Sequence, residues 1–75
     1  MRGKRERLFE CSHGVGPDEV RVVVLGWNPI QAAADMEEAL VRAGFPAGGE
    51  IDVRDRRGKL VLRVPFRPPA AAHAG

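Results

Sequence analysis

The chain predicts an α+β domain, a four-stranded, mainly antiparallel sheet in the order β-β-α-β-β with one α-helix packed on one face. Three observations carry this. Glycine and proline break the chain between His13 and Asp18, separating two strand-like stretches. A helix-like stretch with capping chemistry at both ends follows Trp27. A second pair of alternating stretches then flanks a turn at Asp55 to Gly58.

From Arg7 to Ser12 the chain alternates, with Phe9 and Cys11 on one side and Leu8, Glu10 and Ser12 on the other, so it reads as a first strand. The turn residues that follow let the next strand fold back antiparallel. Glu19 to Trp27 is rich in β-branched and bulky residues, which predicts a strand at the centre of the sheet. Val20, Val22 and Val24 face one way and Val23, Leu25 and Trp27 the other. A single helix covers only one of those rows.

Asn28 suits an N-cap, Pro29 the first helical position, and Gln31 the far side of a capping box. The helix is expected to run to Ala43 and to stop where Gly44 takes the left-handed conformation, with Pro46 preventing continuation. At 100° per residue, Gln31, Asp35, Glu38 and Arg42 share a wet arc on which Glu38 and Arg42 are spaced for an i,i+4 pair. The remaining arc, Ile30, Ala33, Ala34, Met36, Leu40 and Val41 flanked by Ala32, Ala39 and Ala43, is expected to face the sheet. Glu37 falls inside it and must be desolvated, paired or at its rim.

Glu50 to Arg54 alternates with Ile51 and Val53 inward, and Lys59 to Phe66 with Leu60, Leu62, Val64 and Phe66 inward. The outer row then sets Asp52 and Arg54 near Val61 and Arg63, close enough for cross-strand ion pairs. Pro65 places the last strand at an edge or leads it out of the sheet.

With 75 residues there is one small domain, residues 8–66, between a basic N-terminal arm (1–7) and a Pro/Ala-rich C-terminal tail (67–75). A fold this size buries only roughly 60–65% of its unfolded surface, and Cys11 is the lone cysteine, so no internal disulfide staples it. Packing or a second subunit must hold it. No apolar run is long enough to cross a bilayer and the basic start lacks a signal-peptide stretch, so the expected location is the cytoplasm, with no membrane partner. Ten of twelve basic residues are Arg, while Asn28 and Gln31 are alone of their types. A hot-growing source and a GC-rich genome both produce that bias.

The net charge of +2 hides a pattern: residues 1–9 sum to +3, residues 10–50 to −5 and residues 51–75 to +4. Two basic ends around an acidic middle fit self-complementary association, and they also fit nucleic-acid contact through Arg2, Lys4, Arg5 and Arg7 with Arg56, Arg57 and Lys59. The four aromatic residues, Phe9, Trp27, Phe45 and Phe66, form no strand stripe of the kind that stacks bases.

Little in the chain points to catalysis. Cys11 and His13 are two apart and share a strand face, but no third group is positioned to complete a nucleophilic pair. Cys11, His13 and His73 lack the spacing of a closed zinc site. Pro29 removes an amide donor from the helix start, against a nucleotide site there. The expected protein is non-enzymatic, without cofactor or metal, and binds a copy of itself and further protein through Val23, Leu25 and Trp27 as a homodimer.

Overall fold

The computed structural model describes residues 5–67. Its elements are β1 (Arg7–His13), a 3-10 turn (Gly16–Asp18), β2 (Val20–Gly26), α1 (Pro29–Arg42), β3 (Glu50–Arg54) and β4 (Leu60–Pro65). The four strands form one antiparallel sheet in the order β2-β1-β3-β4, and α1 packs on one face of it. This is the predicted architecture with one correction to its plan. β2 lies at an edge, and β1 and β3 are central.

The helix ends follow from local chemistry. The Asn28 Oδ1 accepts from the Gln31 amide at 2.8 Å, and the Gln31 Oε1 accepts in return from the Trp27 amide at 2.7 Å, one residue earlier than a capping box requires. At the other end Gly44 has φ +85°, its amide donates to the Val41 carbonyl and the Phe45 amide to that of Leu40, which is a Schellman closure. Each terminus is therefore capped without help from the sheet. The Glu38 to Arg42 ion pair lies on the wet arc at 2.9 Å.

The core lies between α1 and the sheet. Phe9, Cys11, Ile51, Val53 and Phe66 meet Ala32, Ala33, Met36 and Leu40, with Val20, Val24, Phe45, Leu62 and Val64 packed around them. Burying each large member of this set contributes about 1.5–3 kcal/mol. The helix seam is narrower than the predicted arc. Ala32 is fully buried, whereas Ile30, Ala34 and Val41 stand exposed, because the helix meets the sheet along residues 32, 33, 36 and 40 and turns its other flank to solvent. Leu60, expected inward, is also exposed. A register shift at Val53/Arg54 pairs Val53 with Leu62 but Arg54 with Leu60, so an extra residue, Val61, breaks the alternation there.

The far end of the core is closed by rings. His13 meets Phe66 edge-on at 5.1 Å and Phe45 at 6.0 Å, while its Nδ1 donates to the Glu50 carbonyl at 3.0 Å. Gly49, at φ +73°, lets the chain pass the imidazole, since a Cβ there would stand 3.3 Å from the His13 Cε1. The Phe66 amide donates to the Gly49 carbonyl and the Gly48 amide to the Phe66 carbonyl, extending the strand pairing past Pro65. No described helix is long and apolar enough to cross a membrane.

Candidate interaction surface

The strand register sorts the face opposite α1 into two halves. Residues that alternate away from Phe9 and Cys11 are Leu8, Glu10 and Ser12 on β1, Arg21, Val23 and Leu25 on β2, and Asp52 and Arg54 on β3. Leu8 pairs with Leu25, and Val23 follows on the same side of β2 opposite Glu10, so three large apolar side chains gather at one corner of the sheet. Its exposures are high: Val23 65%, Leu25 54%, Leu8 49% and, just past the strand, Trp27 46%. Of the predicted set, Val23 and Leu25 thus share one exposed corner, which Leu8 joins, and Trp27 stands exposed just past β2. The only sign of Leu8 in the sequence was its place in the alternation, which the register with Leu25 turns into contact.

The other half of the face is charged and internally neutralised. Ser12 stands between Arg21 and Asp52, and Asp52 opposite Arg63. Arg63 grips Asp52 through two hydrogen bonds, 2.7 Å from Nε and 3.0 Å from Nη2, and reaches Glu50 at 3.4 Å. Arg21 bridges Glu19 at 3.3 Å and Glu10 at 3.4 Å, and Arg54 lies 3.9 Å from Asp52. The Arg63 hydrogen bonds hold the Asp52 carboxyl below its ordinary range, against a smaller opposing push from burial. These arginines line a shallow depression beside the β1–β2 loop, but their charge is already spent on carboxylates, so the depression offers no ready anion site.

A third feature arises from topology. Because β1 and β3 are antiparallel, with Glu10 opposite Arg54, the start of β1 and the β3–β4 turn lie at the same end of the sheet. Arg5, Arg7, Arg56, Arg57 and Lys59, all exposed, therefore share one pole. The turn there is built by Asp55, whose Oδ1 accepts the Arg57 amide at 2.9 Å and the Lys59 amide at 3.0 Å. Those amides, that of Lys59 foremost, also lower the Asp55 pKa. Arg2 and Lys4, expected with this group, and His73 lie outside the described residues.

The groups with reactive chemistry do not converge: His13 borders the depression, whereas Cys11 and Glu37 do not line it. The Cys11 thiol points into the core and lies 3.7 Å from the Ala32 carbonyl. Burial, aided by the Asp35 and Glu10 charges, pushes it up to about 11, so it stays protonated at neutral pH. His13 spends its Nδ1 proton on the Glu50 carbonyl, and its ring packs in T-shaped contacts with Phe45 and Phe66. Glu37 is half-buried at the rim of the helix seam. Among the described residues no three of His, Cys, Asp and Glu stand together as metal ligands. Compared with protein-family models, curated proteins and solved structures, the chain matches none.

Proposed function

We propose that this protein is a non-enzymatic interaction module of the cytoplasm that associates with a copy of itself, with Val23, Leu25 and Trp27 in the contact. The observation that carries this is the apolar corner: Leu8, Val23 and Leu25 on one strand pair of a small domain, with Trp27 just past it, all about half or more exposed beside a charged half whose ions satisfy one another. Exposed apolar residues gathered in one patch mark an interaction site more often than scattered ones, and a two-fold pair is the commonest way for a soluble chain to cover its own patch. Sedimentation over a range of concentrations tests it, read together with the emission of Trp27. The expected result is a reversible dimer, with blue-shifted Trp27 emission in the dimer and association weakened at least about tenfold by Leu25→Glu. A monomer at the highest attainable concentration would remove the reading.

One observation favours a second reading, contact with a polyanion such as nucleic acid. The shared pole of Arg5, Arg7, Arg56, Arg57 and Lys59 presents cations that form no ion pair among the described residues. Phosphate contacts at this pole would make affinity for a short duplex fall steeply with salt and drop again in Arg56→Ala with Arg57→Ala. Absence of binding at low salt would exclude it.

A further inference from the structure

Among the described residues the sheet has two free edges, and the chain treats them differently. Along β2, every second residue points its N–H and C=O away from β1, and among the described residues no further strand receives them. The pairing of β2 with β1 runs unbroken from Arg7↔Gly26 to His13↔Val20, so the strand is regular over all seven residues. It holds no proline and one charge, Arg21, already engaged by Glu10 and Glu19. At the other edge β4 carries two features that discourage a neighbour: the irregularity at Val53/Arg54, and Pro65, which has no N–H to give.

We propose that β2 is a docking edge whose occupant is β2 of a second copy, paired antiparallel about a two-fold axis at Val23. The product is one eight-stranded sheet with both helices on the same side. This rests on the self-association reading above and specifies its geometry. Three edge pairings are open to two copies. Joining β2 to β4 leaves an unmatched edge on each copy and does not close as a pair, and that pairing, like β4 with β4, must use the guarded edge. Joining β2 to β2 uses the regular edge twice and closes.

The sequence of β2 is self-complementary in that register. Val23 meets the partner's Val23, Val22 the partner's Val24, and Arg21 the partner's Leu25, so β-branched residues pair and no like charges oppose each other. The exposed Val23 and Leu25 gain neighbours on the open face. A contact of one strand pair is small by the standard of stable complexes, which makes the dimer a reversible one.

Amide hydrogen exchange of the full chain at low and high concentration, with disulfide trapping of Val23→Cys and Leu8→Cys, tests the geometry. Cys11, buried and protonated, stays silent in both variants. Strand pairing at Val23 holds the two Cα atoms about 4.5–5.5 Å apart, within disulfide reach, and leaves two strands between Leu8 and its counterpart. The expected result is that alternate β2 amides exchange at least about tenfold more slowly in the dimer, that Val23→Cys is trapped as a covalent dimer, and that Leu8→Cys is not. A dimer in which β2 amides are unchanged and Leu8→Cys is trapped overturns the edge geometry and leaves self-association standing, face to face. A chain that stays monomeric overturns both.

Discussion

The β1–β2 and β3–β4 hairpins are built from similar numbers of residues and finish in opposite ways. The β3–β4 hairpin is closed by its own side chains: Asp55 organises the turn, Arg63 grips Asp52 across the strands, and Phe66 anchors the end in the core. The β1–β2 hairpin has a six-residue connection and a valine row, with Val23 and Leu25 standing in solvent. In this comparison, strand propensity alone says little about burial. One hairpin is complete within the chain, and the other presents surface in excess of what α1 can shelter.

The largest test of that difference is Phe66→Ala, which removes a fully buried ring at the junction of β4, His13 and Gly49. Loss of about 3–5 kcal/mol is expected, enough to leave so small a domain largely unfolded in a urea titration. Val23→Lys on the other hairpin should change monomer stability by no more than about 0.5 kcal/mol, because the side chain it replaces is 65% exposed. Equal losses in the two variants would erase the contrast. Gly49→Ala falls between them, at about 1–2 kcal/mol, since the residue is left-handed and its new Cβ would press on the His13 ring.

The smallest effect is in pH. Asp52 has its pKa lowered by Arg63, so the stability it contributes is complete above the ordinary carboxylate value of 3.8 and fades as pH falls through its lower folded value. Asp52→Asn should therefore flatten the acid limb of the stability curve. Thermal melts of the two proteins at acid and neutral pH check this, and parallel curves would show that the pair does not report on folding.

Features decided within a few residues were legible in the sequence. Asn28, Pro29, Gln31 and Gly44 set the helix ends because caps act on neighbouring amides and carbonyls, and Asp55 to Gly58 set the turn for the same reason. Features decided by placement were not. The valines of β2 predict a central strand, yet an apolar strand left open at an edge has the same composition as one covered on both sides. Ile30 and Val41 belong to the apolar arc of the helix, but how much of that arc meets the sheet depends on how α1 lies across it. The irregularity at Val53/Arg54 that turns Leu60 outward leaves no mark in the alternation of Lys59 to Phe66. For the candidate surface, Val23, Leu25 and Trp27 could be named in advance, while Leu8 and the shared position of the two basic ends required the register.

The lone thiol of this chain, that of Cys11, sits beneath Ala32, fully shielded where helix and sheet meet. A bulky thiol reagent can reach it only when α1 lifts away. The molecule thus carries its own clock: the rate at which Cys11 is labelled in native buffer counts the openings of that seam, without any engineered probe.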